Sequence, residues 1–410
     1  MIIPASAAGA LTGVRVVELG HAVSAPFSAR LFADYGADVI KVERPGVGDV
    51  ARSWGPFPDD VADLEKSGLF FFCNTNKRSV AFDVRMPDGR AALVALLRQA
   101  DVFIENQRPA DMLTWGLDYP TLAAKNPDLL MVSITPYGQT GPYADWRGYD
   151  LNAYHLTATG SRYCGYPDRA PLEHGTFSAD FFGGYVATAW ALALLYGRST
   201  IGGQHLDVST AEAVAALFTG AQNIGAYAQE GRFGRRSGSG MSLAAPARIL
   251  PCSDGFVWLI ALETAQWDGL RAAMGDPDWA APEIFRNLFE RGRNADLIYT
   301  MLEQWTLSLT KQEVMDRCQA NGCPTTAVYT IDELVAHPHL AARGQIVELH
   351  HPVLGTVHVF GAPIRLPDSP GGPVAPAPLL GQHTREVLDT LAALDPTVVD
   401  RLIDGSQRTR

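Results

Sequence analysis

The chain has 410 residues, 47% of them hydrophobic and 19% charged, with a net charge of −11. That length exceeds what one small core organises, so two lobes are expected. The acidic balance argues against a general nucleic-acid binder, and any basic cluster should mark a local anion site.

The N-terminal third alternates strand and helix signals. VRVVEL (14–19) reads as a strand and APFSARLFADYG (25–36) as a helix stopped by Gly36. DVIKVE (38–43) and SVAFDV (79–84) are strands. A helix opens at Pro87 and runs to about Ala100, with apolar Ala91, Leu93, Val94, Leu96 and Leu97 at helical spacing. Strands DVFIE (101–105) and LLMVSI (129–134) follow, with a short helix between them. This order predicts an α/β fold with a mostly parallel sheet. Gly20 leads into HAVSAP (21–26) without a G-x-G-x-x-G turn, so the sheet must bind its ligand without the dinucleotide fingerprint.

Further along, HGTFSAD (174–180) ends on Asp180, just before the apolar stretch FFGGYVATAWALALLYG (181–197). Asp180 reads either as the cap of that helix or as a nucleophile held in the positive field of a helix N-terminus. The run 185–196 is too short to span a bilayer and contains Thr188. With no leader-like start, a cytoplasmic protein without a membrane partner is expected. GRFGRRSGSGM (231–241) reads as a flexible loop. Beyond it come a strand pair around GFVWLIAL (255–262) and several amphipathic helices between 264 and 320, the expected smaller lobe. PDSPGGPVAPAP (367–378) is a surface excursion before a closing helix, HTREVLDTLAAL (383–394). Five scattered cysteines (Cys73, Cys164, Cys252, Cys318, Cys323) read as reduced thiols with no zinc site. His350 and His351 read as strand or turn residues, and no metal is expected.

Taken in order, LTGVRVVELG (11–20), YGADVIKVERPGVGD (35–49), NTNKRSVAFDV (74–84), DVFIENQRP (101–109), SITPYGQTGPYADWRGYD (133–150), HGTFSADFFGG (174–184) and LGQHTREVL (380–388) resemble the family III CoA-transferases over roughly 11–390. These include carnitine- and formyl-type enzymes, with 2-methylacyl-CoA racemases as relatives. The resemblance implies a large Rossmann-like domain built from both chain ends (1–225 and 331–410), a small central α+β domain (226–330), and an interlocked homodimer.

It further implies transfer of coenzyme A between an acyl-CoA and a carboxylic acid, with Asp180 as nucleophile. CoA is then a substrate, and no cofactor is permanently bound. CoA contacts are expected at Val23, Ser24, Arg44, Arg85, Asn106, Arg108, Tyr137 and Gly138, with Lys77 and Arg78 as weaker candidates. Ser237, Gly238, Ser239 and Gly240 match a lid loop, and Gly183 and Gly184 are candidates for close approach at an oxyanion site. Val23 stands where formyl/oxalyl-specific members carry a glutamine, which argues against formate and oxalate, and Thr114 replaces a basic residue of several members. A racemase, with Tyr149 where relatives place a histidine base, and a non-catalytic subunit of a heteromeric transferase are the alternatives.

Overall fold

The computed structural model describes residues 9–407 except Arg235, Ser239, Ser242 and Leu243. The chain forms two units. One contains the part up to Thr159, His174–Ala228 and the part from Pro338 onward; the other contains Gly160–Glu173 and Gln229–His337. The first unit is thus built from both chain ends, and the short segment Gly160–Glu173 goes with the middle of the chain, which the sequence reading had placed in the large domain.

In the first unit the chain runs β1 (Arg15–Leu19), α1 (Ser24–Asp34), β2 (Asp38–Glu43), α2 (Gly68–Asn74), β3 (Arg78–Ala81), α3 (Pro87–Leu97), β4 (Val102–Glu105), α4 (Pro109–Trp115), α5 (Tyr119–Ala123) and β5 (Leu130–Thr135). Then come α6 (Asp150–Leu156), α7 (Thr159–Tyr163, which leads into the second unit), α8 (Ser178–Ile201), β6 (His205–Ser209) and α9 (Thr210–Val214). The six strands are parallel, in the order β3-β2-β1-β4-β5-β6. The order reverses between β1 and β4, which opens a crevice at the C-terminal edge of the sheet between the loops that follow those two strands.

Side chains alternate across the sheet, so each face has its own core. Val17, Ile40, Phe103 and Met131 pack with Leu93 and Leu96 of α3 and with Val387 and Leu388 near the chain end. On the opposite face Val16, Val39, Ile104 and Val132 pack with Ala25, Ala29 and Phe32 of α1 and with Ala187 and Ala191 of α8. All eleven residues of α1 are buried, which is why a helix with no charged face survives there. An ion cluster lies on this second face: Lys41 Nζ is 2.6 Å from Glu18 and 2.8 Å from Asp49, and Lys77 Nζ is 2.8 Å from Glu18, every side chain fully buried.

The second unit has an antiparallel sheet, β7 (Ala247–Cys252), β8 (Gly255–Ile260) and β9 (Thr325–Ala327). Its core joins Val257 and Leu259 to Trp267, Leu270, Leu302 and Val314 from the surrounding helices. The Arg291 guanidinium, fully buried, donates to the carbonyls of Ala245, Ala261, Leu262 and Phe285 at 2.8 Å each, tying four segments together.

Candidate active site

The crevice is floored by the turn after β1. Ala22 takes a left-handed conformation (φ 60°), costly for a residue with a Cβ, and neighbours hold it on both sides. The His21 N–H donates to Asn106 Oδ1 at 2.9 Å and the Ala22 N–H to Asp49 Oδ1 at 2.8 Å. Asn106 Nδ2 in turn donates to the His21 carbonyl at 2.7 Å and to Ser24 Oγ at 3.1 Å. Three expected contact residues, Val23, Ser24 and Asn106, therefore come together at the reversal point, with Val23 and Ser24 buried. Asn106 bridges the two loops that form the crevice.

The other expected CoA contacts lie along the same edge, each in the loop after a strand. Arg44 follows β2, is exposed, and makes no ion pair among the described residues. Arg85 follows β3 and pairs with Asp83 at 2.5 Å; Arg108 pairs with Asp111 at 2.8 Å. Both pairs are local and solvent-exposed, so an arriving phosphate displaces little. Tyr137 follows β5 beside Tyr143 and Gly148, and Gly138 has φ 82°, a turn conformation suited to glycine.

Two weaker expectations are corrected. Lys77 is buried and donates to Glu18, the Pro26 carbonyl and Asn74, and burial brings its ammonium down to about 8. It belongs to the core ion cluster. Arg78 is engaged by Asp38 at 2.6 Å and Glu386 at 3.1 Å.

Asp180 is partly buried in the first turn of α8, as the third residue of the helix. It does not cap the helix: Phe177 holds the cap position, and no side chain there accepts a cap bond. The capping acceptor comes from α6, where Asp150 Oδ1 takes the Asp180 N–H at 2.8 Å. The helix field does not win at Asp180. Burial, with the charge of Asp150 adding to it, raises its carboxyl to about 7. The Asp180 carboxylate itself has no hydrogen-bond donor among the described residues. Around this turn Phe181 lies edge-on to Phe27 (centroids 4.8 Å apart), and Phe177 stacks on Trp54 at 5.7 Å. His174 bridges Tyr154 Oη (3.0 Å) and Ser178 Oγ (2.9 Å), bracing the start of α8 against α6. Sequence reading missed Asp150 and His174 in these roles; Asp150, thirty residues from Asp180, appeared there only as the end of the RGYD run. Tyr149, the position compared with a racemase base, is exposed and starts α6.

Gly183 and Gly184 are packing positions. A Cβ on Gly183 would lie 2.5 Å from Thr210 Cγ2 of α9, and one on Gly184 would lie 2.9 Å from the Ser24 carbonyl of α1. They let α8 approach both helices closely.

The expected lid residues lie in the second unit, and Ser239 falls outside the described residues. The loop is tied down at several points. Arg236 donates to the carbonyls of Tyr166 and Ser161 at 3.1 Å and of Arg169 at 2.5 Å. The Gly238 N–H donates to the Gly165 carbonyl at 3.2 Å, and Ser237 Oγ donates to the Gly240 carbonyl. Gly238 has φ 66°, and a Cβ there would lie 2.3 Å from the Tyr166 ring. Gly240 bridges to Arg248 at the start of the β7 sheet.

The sequence matches the profile of CoA-transferase family III over residues 11–384. It is 34% identical to the succinyl-CoA–D-citramalate CoA-transferase of Chloroflexus aurantiacus, over 94% of both chains. It is equally 34% identical to the succinate–glutarate CoA-transferase of Agrobacterium fabrum, over 94% of this chain and 97% of that one. The crystal structure of a CAIB/BAIF family protein from Brucella suis superposes with a TM-score of 0.83 at 31% identity, covering 94% of this chain and all of the other. With that match spanning both chain ends and the Asp180 turn, the chain belongs to CoA-transferase family III and is a CoA-transferase.

Proposed function

We propose that the protein moves coenzyme A from an acyl-CoA to a carboxylic acid through covalent intermediates on Asp180. An Asp180 oxygen attacks the thioester carbonyl, and the C–S bond breaks to give an acyl–aspartyl anhydride and CoA thiolate. The thiolate then attacks the Asp180 carbonyl carbon, releasing the donor acid and leaving an aspartyl–CoA thioester. The acceptor carboxylate repeats the two steps in reverse. A thioester is exchanged for a thioester, so the overall step is nearly balanced, and the carboxylate nucleophile divides a slow attack into easier steps.

One observation carries this reading: Asp180 is a partly buried carboxylate without a hydrogen-bond donor among the described residues, while its own main chain is fixed by Asp150. A carboxylate left that way is costly for folding and suited to attack. The acyl-CoA would lie along the C-terminal edge of the large-unit sheet, its phosphates met by Arg44, Arg85 and Arg108. The loop with Ser237, Gly238, Ser239 and Gly240 would act as the lid during turnover.

Because the relatives' names specify succinyl-CoA, citramalate and glutarate, short dicarboxylic acids are proposed as substrates. The working form is proposed to be a homodimer, supported by the family resemblance and by exposed Tyr185, Trp190 and Tyr196 along α8. The decisive test is hydroxylamine trapping with peptide mapping, using succinyl-CoA and a panel of dicarboxylic acids. The expected product is a hydroxamate on Asp180. Transfer with no adduct at Asp180 would overturn the mechanism.

A further inference from the structure

Beneath the Asn106–Arg108 turn lies a carboxyl group that the transfer steps do not use. Glu105 ends β4 and is fully buried. One oxygen, Oε2, accepts the Gln107 N–H at 2.6 Å; the other, Oε1, has no hydrogen-bond partner among the described residues. No lysine or arginine pairs with it there. On β5, Ser133 stands opposite Glu105 in register. Ser133 Oγ also lies 2.8 Å from His205 Nε2 of β6, whose ring stacks on Tyr119 of α5 at 5.4 Å. Asp207 of β6 is the charged group that acts on Glu105. From the β1 side His21, whose pKa burial lowers, lies 3.3 Å from Gln107 Nε2. Gln107 Nε2 also donates to the Leu19 carbonyl at 2.9 Å.

Glu105 is thus joined to the crevice through the main chain of Gln107. A buried carboxyl with an unpartnered oxygen and no cation is tolerated best in its neutral form. We propose that Glu105 is a positioning residue for acyl-CoA, holding the Asn106–Arg108 turn through the Gln107 N–H and coupling capture of the polyanion to its own proton. The proposal rests on the reading of that turn as a CoA contact. Burial raises the carboxyl to about 7, with Ser133 and the Gln107 N–H opposing and Asp207 adding. Near neutral pH the site is therefore part ionised. An incoming polyanion favours the protonated form, so binding takes up a proton, and by reciprocity affinity falls as Glu105 ionises.

The test is calorimetric titration of the full chain with free CoA, comparing wild type with Glu105→Gln in buffers of different ionisation enthalpy. The amide keeps the shape and an acceptor for the Gln107 N–H but does not titrate. The wild type should lose about fivefold in affinity between about pH 6 and about pH 8, beyond any loss in the variant, and should take up more protons than the variant. The CoA phosphates and Asp180 titrate in both proteins and cancel in the comparison. Ser133→Ala removes the hydroxyl opposite the carboxyl, which favours the ionised form, so its affinity loss should move to higher pH, a readout that a purely structural role would not shift. Identical pH dependence in wild type and Glu105→Gln, or an unmoved limb in Ser133→Ala, overturns the proposal. If neither protein binds CoA, it is the placement of CoA at this turn that fails.

Discussion

Two carboxylates meet at the start of α8, and their division of labour sets the pH behaviour. Asp150 accepts the Asp180 N–H and leaves the Asp180 side chain free to react. The nucleophile must be ionised, and burial together with Asp150 raises its carboxyl to about 7. Transfer should therefore fall off as pH drops below about 7. Asp150→Asn keeps an acceptor for the N–H and removes the charge, so the acid limb of the rate profile should shift to lower pH; an unmoved limb would detach Asp150 from this role. The sign for stability is the opposite of a salt-bridged carboxylate. With the folded value raised above the ordinary 3.8, the contribution is fully present below that value and is lost as pH rises through about 7. Asp180→Asn should consequently melt at a higher temperature than wild type near pH 8, with no such gain near pH 4. Asp180→Ala should lower transfer by at least about 10⁴-fold while free CoA still binds, measured by single turnover and calorimetry. Residual turnover near the wild-type rate would remove Asp180 from the mechanism.

At the scale of elements, the site depends on how closely α8 lies on α1. Gly184 faces the Ser24 carbonyl, so Gly184→Ala must push α8 away from the residue that receives the Asn106 bond. Overpacking of this kind costs about 1–3 kcal/mol. Denaturant unfolding should show the loss, and the KM for acyl-CoA should rise with it; an unchanged midpoint would mean that the helices separate freely.

The same element shows what a sequence can and cannot disclose. Strands β1 to β5 and helices α1 and α3 were legible because buried parallel strands are apolar runs and Pro87 marks a helix start. The family motifs made Asp180 and the crevice loops legible. Other features depend on contacts between distant segments. Asp150 joins Asp180 across thirty residues, and Lys77 joins Glu18 across fifty-nine. No local pattern separates a lysine that solvates a turn from one buried in an ion cluster, and none shows that two glycines inside a helix serve packing.

For the molecule as a whole, the proposed homodimer follows from an imbalance along α8. At 24 residues it is long and apolar enough to cross a membrane by length and composition, although the run read from the sequence was shorter. One side is held by α1 and the sheet, through Ala187 and Ala191. The other side leaves Trp190 60% and Tyr196 94% exposed, and Leu217 and Tyr227 are exposed in the segment after α9. Apolar surface gathered on one helix of an enzyme marks a contact face more often than chance exposure does. A second copy is the partner proposed here, because the family resemblance implies an interlocked pair. Light scattering on the purified chain should then give twice the 44.2 kDa of one copy. Trp190→Asp places a charge at the centre of that face, remote from Asp180 by nearly three helical turns. It should yield monomers and lose transfer activity while the sheet core stays folded by circular dichroism. A wild-type monomer with full activity would refute the dimer, and a dimeric, fully active Trp190→Asp would show that this side of α8 is not the interface.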